Sequence, residues 1–180
     1  RSLALHYISQ KQHVVGLSRT KPLIQSEFYS HIECDLANDT EILNTLKRLS
    51  QYQIESVILN AAYLSPMGDM KHTSMDTIQK AMTINVWSNK QLLDSLLESQ
   101  SSLKKVIAIS SGVTQSITRG WNAYALTKTT FNALIKLYAE ECPQTHFLLV
   151  APGLVDTKMQ DYLCSLPSSD MMPSISWLKE

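Results

Sequence analysis

A chain of 180 residues with 44% hydrophobic content lies in the size range of one domain and can bury a substantial core. Its 16 Lys and Arg balance 16 Asp and Glu, so no overall positive field exists to hold a nucleic-acid backbone or an anionic membrane surface, and neither is expected as a partner. No apolar run approaches the ~18 residues of a membrane span, the first residues lack the apolar core of a signal peptide, and Cys34, Cys142 and Cys164 form neither a C-x-x-C pair nor a zinc site. A soluble cytoplasmic protein with reduced thiols and no metal is expected.

Leu3, Ala4, Tyr7 and Ile8 fall at i, i+1, i+4 and i+5, on one face of a helix that begins almost at the first residue. His13-Val14-Val15-Gly16-Leu17 reads as a short buried strand, ended by the polar loop Ser18-Arg19-Thr20-Lys21-Pro22. A second short strand is expected over residues 31–34. Asp39 is placed to cap a helix over 40–51, where Ile42, Leu43, Leu46 and Leu49 recur at helical spacing. Ser56-Val57-Ile58-Leu59 is the next strand, ending at Asn60. One long helical segment follows over 75–99, then the strand Lys105-Val106-Ile107-Ala108-Ile109, which ends at Ser110-Ser111-Gly112. A helix over 123–141 precedes the last clear strand, His146-Phe147-Leu148-Leu149-Val150, which ends at Ala151-Pro152-Gly153.

Strands alternating with helices, the strands nearly continuous in apolar residues, predict a doubly wound α/β fold: a parallel sheet covered on both faces, in a single domain. In such a sheet ligands bind outside the carboxyl ends of the strands. Arg19, Asp35, Asn60, Ser111 and Pro152-Gly153 all fall at those ends.

Tyr124 and Lys128 are four apart on the helix over 123–141, so their side chains lie on the same face one turn from each other. A lysine ammonium close to a phenol favours the phenolate, and on spacing alone it is expected to lower the tyrosine pKa toward neutrality. Y-x-x-x-K occurs by chance in many helices. Ser111 adds weight to this pair, because it ends a strand at the edge where a ligand should lie and offers a hydroxyl to the same carbonyl oxygen.

At this point the sequence resembles the short-chain dehydrogenase/reductase family of the classical type, whose signature is a serine after the fifth strand and Y-x-x-x-K in the following helix. The residues that carry the resemblance are Ile109-Ser110-Ser111-Gly112 and Tyr124-Ala125-Leu126-Thr127-Lys128. Three further segments agree in order and spacing: Asn60-Ala61-Ala62, Thr83-Ile84-Asn85-Val86, and Pro152-Gly153-Leu154-Val155-Asp156-Thr157. The resemblance covers nearly the whole chain and implies a Rossmann-type sheet and an oxidoreductase that moves hydride between a nicotinamide dinucleotide and a carbonyl or alcohol.

By the resemblance, Tyr124 is the general acid in reduction and Ser111 holds and polarises the substrate carbonyl. Lys128 binds the nicotinamide ribose and tunes Tyr124, and Asn85 supports a water in proton replenishment. Asn85 also reads as a buried amide bridging helix to strand. Asn60, Ala61 and Ala62 are placed against the adenine-side ribose, with alanine at Ala62 where the family has glycine. Asp35 and Leu36 resemble the segment bordering the adenine ring, and Pro152, Gly153, Val155 and Thr157 join the cofactor-binding set. Enzymes preferring NAD carry an acidic residue after the second strand. Ser18-Arg19 stands there instead, a hydroxyl beside a guanidinium that suits a 2′-phosphate, so NADP is expected over NAD.

The family's T-G-x-x-x-G-x-G turn is not found, and Arg1 resembles a residue just past its last glycine. The first strand and the C-terminal strand of the family are therefore expected to lie outside the sequence shown, in a longer chain. Asp156-Thr157-Lys158-Met159-Gln160 is similar to the branch containing sepiapterin reductase and bacterial benzil reductase. Trp121, Thr114 to Ile117, Met159, Tyr162, Leu163, Met171 and Met172 are expected to wall a pocket for an apolar, aromatic or diketone-like carbonyl, with 159–172 as a lid. By the same resemblance, Ile84, Trp87 and Leu92, apolar residues away from the sheet-facing side of the helix over 75–99, point to a homodimer or tetramer. Two other readings stay open: a non-catalytic binding protein of the same fold, and an extended-type sugar epimerase or dehydratase.

Overall fold

A computed structural model describes residues 1–167, which fall in two compact units, Arg1–Tyr52 and Gln53 onward. The first unit contains helix α1 (Ser2–Ser9), strands β1 (Val14–Ser18) and β2 (Tyr29–Glu33), and helix α2 (Asp39–Leu49). β1 and β2 pair in parallel with Gly16 opposite His31 and Ser18 opposite Glu33. Gly16 makes room for Tyr29, whose hydroxyl would have to shift to admit a Cβ built there. Ile32, Cys34, Ile42, Thr45 and Leu49 are buried in this unit.

The cap of α2 differs from the sequence expectation: Asn38 holds the first turn, and Asp39 is already helical. Extended backbone at Asn38 lets its Oδ1 accept from Thr40 N at 3.0 Å and Glu41 N at 3.3 Å. Asn38 Nδ2 donates back to Glu41 Oε1 (2.9 Å), and Glu41 Oε2 accepts from Asp35 N (2.7 Å), closing a reciprocal box at the end of β2.

The second unit is built on β3 (Ser56–Leu59), β4 (Lys105–Ile109) and β5 (His146–Val150), parallel in the order β3-β4-β5. Val57, Val106 and Phe147 stand in register, as do Leu59, Ala108 and Leu149. A further bond from Ser110 N to Val150 O (2.8 Å) carries the pairing past the end of β4. The carboxyl ends of all three strands, at Asn60, Ser110-Ser111 and Ala151-Pro152, therefore line one edge. The parallel α/β architecture read from the sequence is present, as two ladders among the described residues.

The helical segment expected as one piece over 75–99 is broken into α3 (Met75–Met82), a π turn (Thr83–Trp87) and α4 (Ser88–Ser99). Side chains take over carbonyls at the loosened turn: Ser88 Oγ donates to Ile84 O (2.7 Å) and Asn89 Nδ2 to Asn85 O (3.0 Å). The wider turn rotates everything after it relative to an unbroken helix. Leu92, expected on the outer side, is consequently buried with Val86, Leu93 and Leu96, while Trp87 stays 41% exposed.

Helix α5 (Asn122–Glu141) buries Tyr124, Thr127, Lys128, Phe131, Ile135 and Tyr138, a stripe of helical period. Tyr138 stacks on Phe147 of β5 and donates to the Asp94 carboxylate of α4, which also pairs with Lys90. Helix α6 (Lys158–Ser165) starts at Thr157, whose Oγ1 accepts from Gln160 N (3.4 Å), and it buries Leu163 while exposing Tyr162. Met171 and Met172, read as part of a lid, lie outside the described residues.

Candidate active site

Ser111, Tyr124 and Lys128 come together at the end of β4 and the first turns of α5. Ser110 anchors the strand end to the helix, donating from Oγ to Asn132 Oδ1 (2.7 Å). Ser111 follows in extended conformation and its Oγ accepts from Val113 N (3.3 Å), which leaves the hydroxyl proton to point elsewhere. The Tyr124 phenol sits in an apolar cluster of Val113 and Ala125, with Leu64 and Trp121 packed against it and the Trp121 ring centroid at 5.8 Å.

Burial pushes the Tyr124 pKa up, and a hydrogen bond with Ser111 opposes it, with burial the larger influence. Lys128 is 4% exposed, and its Nζ donates to Ile109 O at 2.8 Å, lying 6.0 Å from the Tyr124 ring centroid and 5.4 Å from that of Phe131. Burial lowers its pKa to about 8. The sequence reading had the ammonium drawing the phenol down. Here desolvation outweighs the opposing hydrogen bond with Ser111, so the shift favours the protonated phenol, opposite in direction to the one expected from spacing.

Asn85 occupies the π turn, 2% exposed, and its amide is committed to the protein. Oδ1 accepts from Tyr63 N (2.6 Å), and Nδ2 donates to Tyr63 O (2.8 Å) and Thr127 Oγ1 (3.0 Å). Thr127 in turn donates to Tyr124 O (2.8 Å). Asn85 thus fastens the chain just after Asn60-Ala61-Ala62 to the helix turn carrying Tyr124, the bridging role that the sequence also allowed. A truncated Asn85 would leave the backbone groups of Tyr63 without these partners, at ~1–3 kcal/mol each if they stayed buried and unmet. Asn60 and Ala61 are exposed at the end of β3, as are Pro152, Gly153, Val155 and Thr157 beyond β5.

The remaining expected cofactor residues belong to the first unit. Ser18 Oγ donates to Thr20 O (2.9 Å) and meets His31 Nε2 at 2.9 Å, with Arg19 exposed beside it. Asp35 is half-buried and its Oδ1 accepts from Ala37 N (2.9 Å), and Leu36 is half-buried next to it. Sequence reasoning missed His31, Thr127, Ser65 and Asn122. Only Asn122 left a signal, an asparagine after Gly120-Trp121 at a helix start, where a left-handed residue is tolerated.

The donor set fits a nicotinamide dinucleotide in chemistry. An ammonium has three protons, of which Lys128 gives one to Ile109, and the others suit ribose hydroxyls. In the second unit Asn60 adds an exposed amide, and in the first unit, taken by itself, Ser18 and Arg19 offer a hydroxyl and a guanidinium. Among the described residues no group of three or more His, Cys, Asp or Glu could hold a metal ion, and no helix is long and apolar enough to cross a membrane.

Comparison with known proteins identifies the family. A short-chain dehydrogenase family model, described as enoyl-(acyl carrier protein) reductase, matches residues 1–172. The chain belongs to the short-chain dehydrogenase/reductase family, oxidoreductases that use nicotinamide dinucleotides. It is 26% identical over 184 residues to benzil reductase ((S)-benzoin forming) of Bacillus subtilis (strain 168), a match spanning 94% of this chain and 75% of that protein. A short-chain dehydrogenase/reductase of Saccharomyces cerevisiae superposes with a TM-score of 0.85 at 22% identity, over 99% of this chain and 76% of the other. Thermoplasma acidophilum aldohexose dehydrogenase gives a TM-score of 0.84 at 23% identity, over 99% and 71%. At those identities the two structures speak for the fold alone.

Proposed function

We propose that this chain is an NADP-dependent carbonyl reductase acting on an apolar or aromatic ketone or diketone, with both units in one dinucleotide-binding domain. The observation that carries the reading is the buried Tyr124 phenol, held protonated by its surroundings, next to the Ser111 hydroxyl and walled by Trp121, Leu64 and Val113. When bound, the dinucleotide supplies hydride to the carbonyl carbon. Tyr124 gives its proton to the carbonyl oxygen, while Ser111, whose oxygen accepts from Val113 N, keeps its proton and donates a hydrogen bond to the same oxygen as charge builds there. Lys128 holds ribose hydroxyls with the protons that Ile109 does not take. Asn85 keeps the Tyr124 turn and the Asn60–Ala62 segment in one frame. The apolar wall favours an aromatic substrate over a sugar, and the benzil reductase likeness points the same way.

Tyr124→Phe removes the proton donor and little else. Reduction of benzil by NADPH should fall by about 10³-fold, the middle of the range for a positioned acid, while NADPH affinity by fluorescence titration changes little. Turnover near wild type in that variant would overturn the assignment.

We further propose a homodimer or tetramer in the cytoplasm, formed through α4 and α5. Exposed Trp87 at the π turn, and Leu126 and Leu137 on α5, are the apolar area that such an interface would cover. Light scattering at micromolar concentration should give at least twice the monomer mass. A monomeric mass would overturn this assembly without touching the chemistry.

A further inference from the structure

The start of α5 is tied to the loop after β3 at successive points. Ser65 is fully buried and donates from Oγ to Asn122 Oδ1 (2.8 Å), and Asn122 Nδ2 donates to Pro66 O (2.7 Å). Gly68 N donates to Gly120 O (2.9 Å), and Gly68 bridges in parallel to Trp121. Asp69 receives the Arg119 guanidinium through two bonds, 2.6 Å from Nε and 2.7 Å from Nη2. Within this brace Asn122 has φ 24°, a positive value that side-chain-bearing residues rarely adopt and that persists only where the surroundings hold it.

The first amides of a helix have no partner in the preceding turn, so whatever grips its first residues sets its starting direction. The residue before α5, Trp121, makes no side-chain cap bond to it. The Asn122 side chain instead points outward to Ser65 and Pro66, two residues ahead of Tyr124.

We propose that Asn122 and Ser65 are positioning residues for Tyr124: the Ser65–Asn122–Pro66 clasp fixes the strained first residue of α5, and with it the meeting of the Tyr124 phenol and Ser111. This rests on the reading of Tyr124 as proton donor. A displacement of about 1 Å at a reacting group costs on the order of 10²-fold in rate, so the clasp need slip only a fraction of that to be felt.

The test uses the full-length chain carrying Ser65→Ala, Asn122→Ala or Asn122→Gly, with benzil as substrate. Asn122→Ala should lower kcat by roughly 10- to 30-fold, with KM for benzil and the Kd for NADPH within about twofold of wild type. Ser65→Ala should lower kcat less, and Asn122→Gly should retain more activity than Asn122→Ala because glycine takes the positive φ without strain. A second readout needs no turnover: ultraviolet difference titration of each variant against its own Tyr124→Phe counterpart isolates one phenol. Since the Ser111 bond lowers the Tyr124 pKa, loosening the clasp should move that midpoint up. Folded Asn122→Ala and Ser65→Ala with wild-type kcat and midpoint would overturn the proposal. So would a fall in kcat matched by an equal loss of NADPH affinity at an unmoved midpoint. Wild-type protein inactive on carbonyls would sink the proposed function instead, and the titration would still decide the clasp.

Discussion

The carboxyl ends of β1 and β4 each bear a serine, and the two surroundings differ in kind. Ser111 is gripped by Val113 N, faces a buried phenol, and follows a serine pinned to α5 through Asn132. Ser18 stands at an exposed rim, its hydroxyl shared between Thr20 O and His31, with Arg19 exposed beside it. A proton is transferred only across a hydrogen bond, which demands position to a fraction of an ångström. A phosphate is told from a hydroxyl by charge, which acts over several ångströms. The first task calls for packing and the second for the right sign on a loop.

If that contrast is right, charge reversal at the β1 end should alter cofactor choice and leave the chemistry alone. Arg19→Asp repels a 2′-phosphate and offers acceptors to a free 2′-hydroxyl. The ratio of kcat/KM for NADPH over NADH should fall by about 10²-fold, the exchange of a charge-assisted hydrogen-bonded pair for a like-charge contact. The Tyr124 titration midpoint should stay where it is. A wild-type protein that already prefers NADH would show that the end of β1 was misread.

The two regions also differ in how far the sequence revealed them. β3, β4 and β5 match the sequence reading residue for residue, because each is a short apolar run bounded by polar residues and paired in a parallel ladder. Ser111, Tyr124 and Lys128 were legible too, since strand end and helical spacing are local patterns. Features that depend on partners distant in sequence were not. The π turn depends on Asn85 finding Tyr63 and Thr127, and the left-handed Asn122 depends on Ser65, 57 positions earlier. The sign of the Tyr124 shift was misjudged for a related reason: spacing places a lysine nearby, but only the fold shows that its ammonium is turned to Ile109 and that the phenol is desolvated.

The smallest expected effect lies within the packed site itself and concerns Lys128. Burial moves its pKa from 10.5 to about 8, so the folded protein binds this proton more weakly than the unfolded chain does. Below pH 8 both states are charged and the fold carries the cost of a buried cation. The 2.5-unit difference, 10.5 minus 8, corresponds to roughly 3 kcal/mol. Between pH 8 and 10.5 the unfolded chain holds the extra proton, so stability rises with pH and the cost is gone above that window. Lys128→Met removes the charge at every pH, at the expense of the charge-assisted bond to Ile109 O, which offsets about 2 kcal/mol. The variant should therefore be more stable than wild type by about 1 kcal/mol at pH 7, and inactive, because methionine has no proton for a ribose. Denaturant melts of both proteins at pH 7, 8.5 and 10 should show this advantage shrinking as pH rises. An advantage that is absent at pH 7, or constant across the range, would mean that the Ile109 bond carries Lys128 into the interior at no net cost, and that the site is not held at the expense of stability.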